Sequence, residues 1–74
     1  MQIDKTVLET NIVSINYTKR DGTARNVLCT LREDLIPSYP DDTENLTVWD
    51  LENNDWRSLI ENNINSIKVV FNAD

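Results

Sequence analysis

The stretch Ile12-Val13-Ser14-Ile15-Asn16-Tyr17-Thr18-Lys19-Arg20-Asp21-Gly22-Thr23-Ala24-Arg25-Asn26-Val27-Leu28-Cys29-Thr30-Leu31 decides how this chain folds. Val13, Ile15 and Tyr17 alternate with Ser14, Asn16 and Thr18, the period of two that a strand shows when one face is buried. The alternation stops at Asp21-Gly22, which holds the chain's one glycine, and Ala24 to Leu31 reads as the returning strand. The side chains choose the register. A loop of Asp21-Gly22 sets Ile15 opposite Leu28 and Val13 opposite Thr30, whereas a loop of Arg20-Asp21-Gly22 sets Ile15 opposite Val27, Val13 opposite Cys29 and Tyr17 opposite Arg25. The second keeps the apolar residues together. Because a slip of one residue turns a whole strand over, we expect a type I turn followed by a bulge, with Gly22 in the left-handed conformation.

Working outward, Ile3, Val7 and Leu8 share one face of a short helix, although Thr6-Val7-Leu8 also suits a strand; the expectation is an N-terminal helix within residues 1–11, from about residue 3 to 10. Downstream, Pro37 and Pro40 are the only prolines, and with Asp41, Asp42 and Glu44 they mark residues 32–45 as a long acidic loop. Leu46 to Leu51 and Trp56 to Ile60 then read as a second hairpin over Asn53-Asn54. A loop of two or of four residues puts Leu51 opposite Trp56, Asp50 opposite Arg57 and Val48 opposite Leu59, and an opposed Asp–Arg pair contributes about 0.2–1 kcal/mol. In that register Trp49 and Trp56 share a face, one packed in the core and the other partly exposed. Glu61 to Asn65 reads as a tight turn, one 3₁₀ turn, before a last strand in which Ile67, Val69 and Phe71 alternate with Lys68 and Val70. The expected fold is therefore mainly β: one domain over residues 1–74, a small five-stranded antiparallel SH3-like or Sm-like barrel with a short N-terminal helix, whose closure removes the sheet's edges.

Composition limits the chemistry. At 74 residues a core supplies only about 3–5 kcal/mol, which leaves little to support a strained active site. A hydrophobic fraction of 39% nonetheless excludes a disordered tail. No apolar run is longer than the three residues of Val69-Val70-Phe71, so neither a signal peptide nor a membrane span is expected, and the one cysteine cannot form an internal disulfide. The net charge of −6 is unevenly spread: residues 1–32 carry five basic groups against three acidic, while residues 33–61 carry nine acids against Arg57 alone. Such a field repels phosphate backbones and favours a basic partner surface, and it also serves solubility.

The run Ile15 to Arg25, then Cys29-Thr30-Leu31, Val48-Trp49-Asp50-Leu51 and Trp56-Arg57-Ser58-Leu59, with Ile64 beyond, resembles the WYL domain, and more closely the short WYL-related proteins of tailed bacteriophages. The resemblance covers roughly residues 3 to 70. It implies an Sm-like barrel preceded by a short helix, and a phage origin; with one cysteine and no signal peptide or membrane span expected, a reducing host cytoplasm is the expected location. In WYL domains of bacterial regulators the strand bearing Trp-Arg continues into a large aromatic and a second arginine that help line a ligand or nucleic-acid surface. Here those positions look like Leu59 and Ile60, with Glu61 next.

There is no histidine, so Ser-His-Asp and Cys-His nucleophiles are impossible. Cys29 reads as a small core residue. Asp41, Asp42 and Glu44 lack the central glycine of a calcium loop, and Gly22 alone cannot build a phosphate cradle. We therefore expect no enzyme, no cofactor and no metal. Three surface features remain. Tyr39, Asp41, Asp42 and Glu44 form a candidate partner-binding segment; Trp49, Trp56, Arg57 and Arg25 form a candidate ligand pocket; Lys19, Arg20 and Arg25 form a thin basic patch. The expectation is a non-enzymatic binding module that modulates a host protein with a basic surface, then a receptor for a small nucleotide-like ligand, and third a weak nucleic-acid binder.

Overall fold

The computed structural model describes residues 3–38 and 45–72, the last two by their backbone alone. Helix α1 (Lys5–Thr10) leads into β1 (Asn11–Thr18) and β2 (Ala24–Thr30); β3 (Leu46–Asp50), β4 (Asp55–Leu59), a 3₁₀ turn (Glu61–Asn63) and β5 (Ile64–Asn72) follow. The strands form one antiparallel sheet in the order β4-β3-β2-β1-β5. This is the expected mainly-β, SH3-like or Sm-like arrangement, with a short helix in front and a 3₁₀ turn before the last strand. Among the described residues β4 and β5 are the end strands of the hydrogen-bonded order, so closure by a ladder between them is not observed.

Each element has a local cause. Asp4 caps α1, its carboxylate accepting from the Thr6 amide at 2.9 Å. At the other end the Asn11 side chain donates to the Val7 carbonyl, and the Leu8 carbonyl accepts from the Leu31 amide at 3.0 Å, so carbonyls that a helix end leaves orphaned are satisfied. The Thr30 hydroxyl reinforces this seam between the carbonyls of Leu8 and Asn11, while accepting from the Arg32 amide.

The first hairpin pairs Ile15 with Val27, Val13 with Cys29 and Tyr17 with Arg25, the register that keeps apolar residues together. Gly22, at φ +89°, donates to the Lys19 carbonyl, and the Lys19 amide donates to Thr23. A left-handed residue after an i-to-i+3 turn supplies the one-residue bulge. Asp21 holds the tip by accepting from the amide and hydroxyl of Thr23.

The second hairpin corrects the sequence expectation. Trp49 pairs with Trp56, Val48 with Arg57 and Leu46 with Leu59, which leaves Leu51 to Asn54 as a four-residue loop. The strands have slid by two residues, so faces are preserved but partners change: Leu51 does not oppose Trp56, Val48 does not oppose Leu59, and Asp50 reaches Arg57 diagonally rather than directly. The cause is the Asp50 side chain, which accepts from the amides of Glu52 and Asn53 and so draws the loop one pair closer to the strands. Asn54, at φ +52°, completes the turn; asparagine tolerates this conformation better than most residues.

Strand β5 is bulged twice against β1. Val69 and Phe71 face the neighbours Val13 and Ile12, and Ile64 and Ser66 face Tyr17 and Asn16, which leaves Val70 and Asn65 as the extra residues. The strict alternation expected for this strand is accordingly interrupted, and Val69 and Val70 are both exposed. Asn65 is tied down by donating to Asn16 and Thr18, and Asn16 donates in turn to Asn26. The core gathers Leu8, then Val13 and Ile15, Val27, Cys29 and Leu31, Leu46 and Val48, and finally Leu59 and Ile64. No helix among the described residues is long and apolar enough to cross a membrane.

Candidate functional site

Strands β2 and β3 are paired only at Cys29 with Asp50 and Thr30 with Trp49, and the Leu51 amide adds one bond to the Leu28 carbonyl. Beyond that point the first half of β2 and the β3–β4 loop diverge. A cleft of about 60 Å³ opens between them, room for several water molecules. Tyr17, Arg25, Asn26 and Val27 line one side, Glu52, Asn53 and Arg57 the other, and Asp50 lies between.

Asp50 organises the cleft. Only 2% exposed, it sits on the buried face of β3 in line with Leu46 and Val48. Its Oδ1 accepts from the amides of Glu52 at 3.0 Å and Asn53 at 3.1 Å. Its Oδ2 accepts from Asn53 Nδ2 at 2.8 Å and from Arg57 Nε and Nη2 at 3.0 and 2.9 Å. Burial pushes the carboxyl pKa up, but the bonds from Asn53, Arg57 and Glu52 together outweigh it, and the net shift is downward. Arg57 moves the opposite way, held protonated first by its bonds to Asp50 and further by the neighbouring Tyr17 phenol.

The pairing also orients the guanidinium. Asp50 occupies the Nε–Nη2 edge, so the remaining donors of this planar fork lie on the opposite edge, and the Arg57 side chain is 38% exposed. A fixed, partly accessible edge is suited to carboxylate or phosphate oxygens. Arg25 lies across the cleft on β2, exposed and opposite Tyr17 in the register.

The candidate ligand residues therefore separate. Arg25 and Arg57 line one cleft, whereas Trp49 and Trp56 lie on the other face of the β3–β4 hairpin, their rings 5.1 Å apart and near perpendicular at 73°. Neither tryptophan is fully buried, contrary to the expectation that one is core; Trp56 packs against the core's edge, because the shifted register sets the two rings directly opposite each other at the end of the sheet. Tyr17, Asn26, Asp50, Glu52 and Asn53 are cleft residues that sequence reasoning missed. One signal was available: Asp50 stands three residues before Asn53, the spacing at which an aspartate caps a turn.

The other candidates are simply placed. Tyr39, Asp41, Asp42 and Glu44 lie outside the described residues. Lys19, Arg20 and Arg25 are exposed on the first hairpin. Leu59 is core and Ile60 is 52% exposed, so no second arginine extends the cleft along β4. Cys29 is buried, and its thiol pKa is pushed up to about 12 by burial and by the nearby Asp50, which keeps it in the protonated, weakly nucleophilic form. No cluster of metal-ligating side chains occurs among the described residues.

No curated protein and no solved structure matches the chain. The family model described as WYL_2, Sm-like SH3 beta-barrel fold, matches residues 4–65, and the chain belongs to that family.

Proposed function

We propose that this chain is a non-enzymatic binding module that takes the oxyanion of a small ligand, a carboxylate or phosphate group, in the cleft between β2 and the β3–β4 loop. The observation that carries this reading is the Asp50–Arg57 pair: a buried carboxylate fixes one edge of the guanidinium and leaves the other facing a cleft that Arg25 and Tyr17 also line. Pre-setting the donors in this way lowers the ordering cost of binding. The lack of histidine and the protonated, buried Cys29 support a role in recognition rather than turnover. Titration of isotope-labelled protein with sodium acetate, followed by NMR, tests it. Tyr17, Asn26, Asn53 and the Arg57 Nε–H should shift together, and the exposed-site variant Arg25→Gln should weaken the effect; an unresponsive cleft at tens of millimolar acetate would overturn the reading.

A second reading is favoured by charge. Nine acids against one arginine over residues 33–61 suit docking onto a basic protein surface; with the phage origin that the WYL-related resemblance implies, this reading takes the form of a phage product that modulates a host protein in the host cytoplasm. Tyr39, Asp41, Asp42 and Glu44 would contribute. Its mark is capture of one defined partner that is lost with rising salt and with Asp41→Lys/Asp42→Lys; capture indifferent to both rejects it.

A further inference from the structure

We infer that the cleft selects a small zwitterion, the ammonium and carboxylate pair of an α-amino acid, over a simple anion or a phosphate dianion. This rests on the oxyanion reading above and adds the ligand's second charge. Four ionised side chains line the cleft: Arg25, Arg57, Asp50 and Glu52. They are not equivalent. Asp50 and Arg57 are bound to each other, and Asp50's oxygens already accept five hydrogen bonds between them. Asp50 is thereby spent on structure, and its charge offsets that of Arg57.

What remains is one uncommitted charge of each sign. Arg25 projects from β2 and Glu52 from the loop on the other side; both are exposed, and among the described residues neither has an ion-pair partner. The Glu52 backbone is nonetheless fixed, because its amide is held by Asp50. A ligand carrying only negative charge gains from Arg25 and the outer edge of Arg57 but meets Glu52, which takes back part of that gain, and it leaves Glu52 without a partner. A ligand whose carboxylate lies against Arg57 and Tyr17 and whose ammonium faces Glu52 satisfies both signs. The cleft's size, about 60 Å³, suits the polar head of such a molecule.

The discriminating experiment compares probes of matched size on the intact chain by NMR titration: sodium acetate, L-alanine, inorganic phosphate and methylammonium. L-alanine should bind about three- to fivefold more tightly than acetate, the range of one partly exposed ion pair, and more tightly than phosphate. Glu52→Gln should erase the margin of alanine over acetate and strengthen phosphate, while Arg25→Gln should weaken acetate and alanine alike. Both positions are exposed, and an unchanged amide spectrum away from the cleft verifies the fold of each variant. Equal binding of acetate and alanine, or tighter binding of phosphate, would overturn the zwitterion and leave the oxyanion site standing. A cleft silent to all four probes would overturn both.

Discussion

The two hairpins of this molecule turn in different ways, and the difference separates what is robust in it from what is fragile. In the first, the backbone does the work: Gly22 supplies φ +89°, the Lys19–Gly22 and Lys19–Thr23 bonds close the turn, and the whole tip is exposed. In the second, one buried side chain does the work: Asp50 holds two loop amides, the Asn53 side chain and Arg57 together. Damage to the first costs conformational ease, whereas damage to the second leaves partly buried polar groups without their acceptor. The candidate cleft is built against the second, so the proposed binding and the folding share one carboxylate.

The largest break in this contrast is Asp50→Ala. It leaves Arg57 and two amides without their acceptor in a partly buried site, a loss of about 2–3 kcal/mol, a large share of what a domain of this size has to spare at about 3–5 kcal/mol. The variant should melt well below wild type by circular dichroism; a cooperative melt near that of wild type would show that the loop, and not Asp50, sets the turn. Asp50→Asn keeps acceptors for the amides and should fold with a loss of about 1–3 kcal/mol.

Acid titration comes next. The folded pKa of Asp50 lies below its ordinary 3.8, so the unfolded chain takes up the proton first as pH falls. The stabilisation is complete above about pH 4 and is lost as pH drops through the lower, folded value. Chemical denaturation across pH 2–6 should show this acid limb, and Asp50→Asn should shrink it. Asp4 and Asp21, also shifted downward by their bonds to Thr6 and Thr23 but fully exposed, leave a residual slope.

Gly22→Ala is smaller. A Cβ there meets no atom within 4 Å, so the cost is the left-handed backbone alone, about 1–2 kcal/mol, or roughly 4–8 °C in Tm for each kcal/mol. Cross-strand contacts between Ile15 and Val27 should persist, because side chains and not the glycine choose the register. The smallest effect belongs to Asn54→Gly, which suits φ +52° and should change stability by no more than about 0.5 kcal/mol. A larger destabilisation would mean that the Asn54 side chain has a role in the cleft.

The first hairpin was legible because its information is local and redundant: Val13, Ile15, Val27 and Cys29 form two apolar pairs, and one glycine marks the turn. Residues 46–59 look just as regular, with Leu46 and Val48 in step with Asp50, yet the pattern does not say that the third buried position is a carboxylate. Matching Asp50 to Arg57 by direct opposition was the natural sequence reading, and it missed the slide because the same ion pair forms across a diagonal. Arg25 and Arg57 were identified as candidates from residue type; that they share a cleft while the tryptophans lie behind it depends on which face each strand presents.

By itself the sequence determined the helix-then-five-strand order, the register of β1 with β2, the burial of Cys29 and the negative field over residues 33–61, since each rests on near neighbours or on composition. Tertiary structure decided the register of β3 with β4, the bulges at Asn65 and Val70 and the existence of the cleft. These depend on how far β2 stays paired with β3 before the chains part, and on a carboxylate whose hydrogen-bond partners assemble only when loop and strands meet in space.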